Sequence, residues 1–374
     1  MKKRDILLIF ILIGGLSATA QRFSSINYLN DSSERELFFR IESASFIKNN
    51  EYFNAFSKGF TGIGFFAKPS IDYYFSKNTK VSAGVYLLKY SGLDYFSQTI
   101  PLFTVQHKLN KNLELVLGSL YGNLNHQLEE PLFAFDRYYQ DQVEYGLQLL
   151  YKTARVQSDM WLNWEKFIEV NSPYQEEFVF GNSTNIRVYQ SDKLKITFPI
   201  QFLFMHKGGQ IDASPDPVST IFNGMSGLKM NYQLKADETI AFESLLFIYR
   251  GVALPDTGIN SKPYQNGNAM YFKVHYTNKQ LHGMLGYWKA HKFIAPRGEF
   301  LFQSVSSWDP KFAQEDRQLI TAKLEFNKQI APSINLVLKA DAYYDIDNQD
   351  FANALAIYVI IKESFFISKI KANK

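Results

Sequence analysis

The stretch "KLKITFPIQFLFM", residues 193–205, is apolar enough for a protein core, yet Lys193, Lys195, Thr197 and Gln201 recur in it at odd positions. The even positions from Leu194 to Phe204 read Leu, Ile, Phe, Ile, Phe, Phe, while the odd ones carry Lys195, Thr197, Pro199, Gln201 and Leu203. A period of two sends these sets to opposite faces of a β-strand. The alternation returns in Val143, Tyr145, Leu147, Leu149 and Tyr151, again in Met270, Phe272, Val274 and Tyr276, and near the C-terminus from Ile334 to Tyr344. None of these segments fits the three-and-four spacing of a helix.

Extended along the chain, the pattern predicts about sixteen strands, at roughly 37–47, 63–75, 80–92, 97–109, 112–122, 142–152, 155–167, 177–190, 192–205, 223–234, 237–250, 268–277, 280–290, 317–326, 331–344 and 351–363. Short links such as "SKNT" (76–79), "LNKN" (109–112), "SD" (191–192) and "NK" (278–279) alternate with long ones at 48–62, 123–141, 206–222, 251–267 and 291–316. A soluble sandwich has no reason to sort its loops this way. A membrane barrel keeps short turns in the periplasm and long loops outside.

Composition supports a wall with an apolar side. Of 374 residues 46% are apolar, and 33 Phe, 23 Tyr and 4 Trp exceed what soluble domains use. Lys and Arg are dispersed and the formal charge is only +4, which argues against nucleic acid as a partner. Cysteine is absent, which excludes disulfides and thiolate sites and suits an exported chain. Lys2, Lys3 and Arg4, the short apolar run Ile6 to Ile13 and "SATAQ" read as a signal peptide over 1–20. Residues 21–36 then read as a periplasmic N-terminal segment, 37–366 as the barrel and 367–374 as a basic C-terminal tail. On the face judged lipid-facing, Tyr73, Phe75, Tyr151, Tyr232, Tyr276 and Phe326 fall beside short turns and would form an interfacial girdle.

With alternation, loop sorting and girdle in hand, the chain resembles the outer-membrane β-barrel proteins of Gram-negative bacteria, in particular porin-like members of about sixteen strands. No signature ties it to a characterised subfamily. The resemblance implies an all-β, transmembrane, antiparallel up-and-down barrel in the cell outer membrane, in contact with outer-membrane lipid. One departure is the ending: Phe365 and Phe366 are followed by "ISKIKANK", whereas such barrels commonly end on an aromatic residue.

Inward parity collects Arg40, Glu42, Lys68, Asp72, Lys195, Lys229, Glu243, Lys273, Lys323, Glu325, Lys339 and Asp341 among others, with both signs present. Such a wall fits water and small polar solutes rather than a strongly ion-selective pore. In the loop "EEPLFAFDRYYQD" (129–141), a cluster of aromatics has little reason to stand in water. In the porins that the chain resembles, the loop at this place folds into the lumen. That resemblance implies a constriction at Phe133, Phe135, Asp136, Arg137 and Tyr138, with the two phenylalanines on the wall and Asp136 and Arg137 facing the passage. In "DMWLNWEKF" (159–167), Asp159, Trp161, Asn163 and Glu165 share inward parity, an aromatic plate beside acceptors suited to solute contact and to sugars in particular. Trp164, on the opposite parity, would anchor the outer interface.

His275 and His282 face each other across a predicted hairpin, but two histidines are half of a zinc site and no third ligand is in view. No metal and no cofactor is expected. None of the six histidines lies in a recognisable hydrolase motif, so the sequence predicts no enzyme. It reads as a porin-like channel for passive diffusion of small polar solutes. The alternative is a plugged barrel subunit of an export, assembly or surface-attachment complex. A homo-oligomer or a partner subunit is compatible with either.

Overall fold

The computed structural model describes residues 23, 26, 28, 29, 34–256, 258 and 261–370. The signal peptide read at 1–20 and the last four residues of the basic tail lie outside the described residues. The first half of the wall comprises β1 (Glu36–Glu51), β2 (Thr61–Ser76), β3 (Thr79–Tyr90), β4 (Gln98–Asn110), β5 (Leu113–Ser119), β6 (Tyr145–Lys152), β7 (Val156–Lys166) and β8 (Glu177–Gln190). The second comprises β9 (Leu194–Lys207), β10 (Ser219–Lys235), β11 (Glu238–Ala253), β12 (Asn266–Thr277), β13 (Leu281–His291), β14 (Asp316–Ala331), β15 (Ile334–Asp345) and β16 (Asp350–Lys369). Each strand pairs with its sequence neighbours, and β1 pairs antiparallel with β16, which closes the barrel and leaves no open edge. The last strand runs through Phe365 and Phe366 to Lys369, so the stretch read as a tail begins inside it.

Links of two or three residues join strands at one end. Side-chain caps fix several of them. Asn278 Oδ1 accepts from the Gln280 and Leu281 amides at 3.0 and 2.8 Å, and Ser191 Oγ accepts from the Leu194 amide at 3.1 Å. At the other end two long loops, 120–144 and 292–315, turn inward and bond to each other. The Ala134 amide donates to the Arg297 carbonyl at 2.8 Å, and the Glu299 amide to the Glu130 carbonyl at 3.0 Å.

This pair of loops fills the outer half of the lumen. Leu132, Phe293, Ile294, Leu301 and Phe302 pack on inward Phe247, Tyr249, Tyr271, Trp288 and Tyr343. Tyr138 and Tyr139 pack on Phe46, Phe66, Tyr86 and Tyr358, and Phe23 joins them edge-on to Phe135 at 5.1 Å. The described part of the segment read as periplasmic therefore reaches into the barrel. Burial of each large side chain is worth about 1.5–3 kcal/mol, so the loops have a core of their own inside the wall.

Candidate functional site

The inner loops are tied to the wall by charge as well as by apolar packing. Glu129 accepts from Lys229 Nζ at 2.5 Å and Lys273 Nζ at 2.7 Å, its amide donates to Gln201 Oε1 at 2.9 Å, and Gln201 Nε2 reaches the Gln127 carbonyl at 2.9 Å. Burial pushes the Glu129 carboxyl up, but the two lysines outweigh it and hold it below the usual range. Glu130 pairs with Lys323 and accepts from Tyr343 OH at 2.8 Å. Arg297 pairs with Glu165, and buried Arg317 donates to the Gln303 and Leu301 carbonyls and to Asp345.

Among the residues expected at a constriction, Phe133, Asp136 and Tyr138 are buried, Phe135 lies 3.5 Å from Lys339 Nζ in a cation–π contact, and Arg137 is half-buried. Asp136 does not face an open passage. It is held by Lys48 and by Asn50 Nδ2 at 2.8 Å, both on β1, and Arg137 turns to Asp141 at 2.6 Å. The reason is electrostatic: a carboxylate at this depth needs partners, and the wall supplies them.

The plate expected to grip a sugar is already covered. His126 stacks on Trp161 with centroids 3.4 Å apart and planes at 8°, while Trp161 lies over Gly181, its partner across β7 and β8. His126 Nδ1 meets Asp159 at 2.8 Å and its Nε2 meets Glu144 at 3.0 Å. Burial pulls this imidazole's pKa down, yet the two carboxylates prevail and hold it up at about 9. Asn163 Oδ1 accepts from the Tyr145 amide at 2.9 Å, and Glu165 is taken by Arg297. The four residues come together as a packed cluster under the loops. His275 and His282 also meet, Nδ1 to Nε2 at 3.1 Å, although the register places them diagonally, since His275 opposes Met284.

A second histidine site lies outside the wall. One row crosses four strands at the outer rim: Trp164 opposes Phe178, Phe178 opposes His206, and His206 opposes Thr220. All four share the lipid-facing parity of Phe202 and Phe204. Trp164 stacks on Phe178 at 5.4 Å, Phe178 lies 4.9 Å from the His206 ring, and His206 Nδ1 is 2.9 Å from Thr220 Oγ1. Just beyond, Lys207 and Lys166 flank Glu177 at 3.0 and 3.9 Å. Lys262 is held below the usual lysine range by burial and then by the Lys207 charge. The alternation of the quoted stretch, continued one step past Phe204, places His206 on this face; its sequence signal was parity rather than a motif.

The family described as Lipid A 3'-O-deacylase-type matches residues 29–370 of the chain. The chain belongs to this family. Membership overturns the expectation of no enzyme, because this is an enzyme family. No curated protein matches the deacylase-family chain in sequence. Among solved structures it is similar to the outer membrane protein OprD of Pseudomonas aeruginosa, at 11% identity and TM-score 0.53, covering 91% of this chain and 98% of that one. An improved crystal structure of the same OprD gives 12% identity and TM-score 0.52, covering 91% and 99%. These likenesses show that the deacylase-family chain shares the closed-barrel fold of those proteins.

Proposed function

We propose that the protein hydrolyses an acyl ester of an outer-leaflet lipid of the lipid A class, at the rim around His206. The observation that carries this reading is the 2.9 Å contact of His206 Nδ1 with Thr220 Oγ1 on the lipid-facing side. With Nδ1–H donated to Thr220, Nε2 keeps its lone pair and can act as a general base. It takes a proton from water, the hydroxide adds to the ester carbonyl, and the tetrahedral intermediate expels the sugar alkoxide. The imidazolium returns the proton to that oxygen, leaving a free fatty acid and a sugar hydroxyl. The aromatic row suits the acyl chains, and Lys166, Lys207 and Lys262 suit an anionic headgroup.

Refolded full-length protein in detergent micelles with lipid A should release one fatty acid, detected by mass spectrometry. His206→Gln should slow release about 10²–10⁴-fold. Wild-type protein that releases none, or a His206→Gln variant at full rate, refutes the assignment.

A second reading draws on two cavities of about 330 and 520 Å³ that reach toward the short-turn end of the lumen and are lined by side chains of both charges. They support passage of small polar solutes, sugars among them, past a constriction at Phe133–Tyr138. Liposome swelling with graded sugars tests it: flux supports the channel, and no flux leaves a plugged barrel.

A further inference from the structure

The 330 Å³ cavity has its charge sorted by sector. On the side of β10 to β15, its lysines face carboxylates: Lys229 and Lys273 meet Glu129 and Glu243, Lys323 meets Glu130, and Lys339 lies 4.0 Å from Asp341. On the side of β7 to β9 the lining cations are Arg155, Arg187 and Lys195, with no acidic residue among the lining side chains of those strands. Among the described residues no carboxylate lies within ion-pair distance of Arg155 or Arg187. The Arg187 guanidinium donates instead to two neutral acceptors, Gln190 Oε1 and the Ala154 carbonyl.

Strand register brings these groups together. The Arg187 amide donates to the Arg155 carbonyl at 2.8 Å, Arg187 opposes Thr197, Lys195 opposes Asn231, and Gln157 opposes Asn185. The lining includes the turn residues Thr153 to Arg155, so the sector opens toward the short-turn end, the periplasmic side of such a barrel.

We propose that this sector binds a small multivalent anion of the phosphate class, entering from the periplasm. The guanidiniums of Arg155 and Arg187 with the amides of Gln157, Asn185 and Asn231 offer more donors than the two oxygens of a monocarboxylate can use, whereas a phosphate group presents enough acceptors for two forked guanidiniums together. The site is independent of ester hydrolysis at the rim, because it lies on the inner face of the wall.

The test is calorimetric titration of the full chain in a neutral detergent with inorganic phosphate, glycerol 3-phosphate and acetate. Phosphate should bind saturably, and acetate should bind at least about tenfold more weakly, the difference expected for one charge-assisted hydrogen bond. Arg155→Gln and Arg187→Gln should each weaken phosphate by about tenfold or more. Lys89→Gln, at the outer end of β3, should leave it unchanged. Glycerol 3-phosphate binding as tightly as phosphate assigns the site to phosphate esters; phosphate alone assigns it to the free anion. Heat-modifiable gel mobility shows which variants fold, and the wild-type titration decides the matter where a variant does not. No saturable phosphate binding, acetate binding as tightly as phosphate, or unchanged binding in folded Arg155→Gln and Arg187→Gln overturns the proposal.

Discussion

Glu129→Gln removes one charge from the point where the inner loop meets three strands. Glu129 accepts from two lysines at 2.5 and 2.7 Å, and the same lysines lie 3.5 and 2.6 Å from Glu243. After the substitution two lysines share one carboxylate. Two charge-assisted hydrogen bonds of about 1.5–3 kcal/mol each are lost, and the glutamine carbonyl restores a neutral one of about 1 kcal/mol. The adjoining cavity lets water reach the surplus charge, which places the net loss in the lower half of that range, about 2–3 kcal/mol. That is roughly a 30- to 150-fold rise in the open population of the loop. Hydrogen exchange of the amides of 123–141 should accelerate by this factor, while strand amides keep their protection because the wall's ladders are untouched. Unchanged exchange in 123–141 would refute the view that Glu129 anchors the loop.

Gly181→Val places a Cβ within 2.2 Å of Trp161 Cζ2, so the His126–Trp161 stack must shift; we expect about 1–3 kcal/mol of destabilisation and a loss of near-ultraviolet circular dichroism. His126, held up at about 9, contributes stability fully present below pH 6.5 and lost as pH rises through 9; loop protection should fall over that interval, and less so in Asp159→Asn. Burial, with Asp136 and Glu130 nearby, pushes the Glu299 carboxyl up to about 7, so the native state binds the extra proton and loop stability should fall as pH rises from 4.5 to 7, a slope that Glu299→Gln removes. Deleting 130–139 should raise single-channel conductance in planar bilayers; unchanged conductance in a folded deletion removes the constriction.

Parity carried the wall because every strand has one face against lipid. It held best in the middle of strands, as in β9, and was weakest at their ends. The start of β10 at Ser219 and the end of β16 at Lys369 both extend past the alternating core. The inner loops were legible only in part. The aromatics of 129–141 signalled burial, but nothing local predicts that Glu129 meets Lys229 or that Glu130 meets Lys323, pairs separated by 100 and 193 residues. Without those partners the inward charges read as the lining of a water-filled pore. Inward Trp288, Tyr271 and Phe247 make sense only once the loops cover them.

The inner anchors and the outer site share strands, and this joins them mechanically. On β9, Gln201 holds the loop backbone on the inner face while Phe202, Phe204 and His206 stand on the outer face. On β10, Lys229 grips Glu129 inside while Thr220, on the same strand, meets His206 outside. A hydrogen bond between side chains on two strands depends on the register of those strands at the rim, where the ladder ends and fraying is easiest. Inward contacts close to that end resist fraying: Ile221 packs beneath the loops beside Thr220, and Asn223 Nδ2 donates to the Ile294 carbonyl at 2.7 Å. A barrel filled in its outer half thus gains a rigid rim, which the base proposed at His206 requires and an open pore does not.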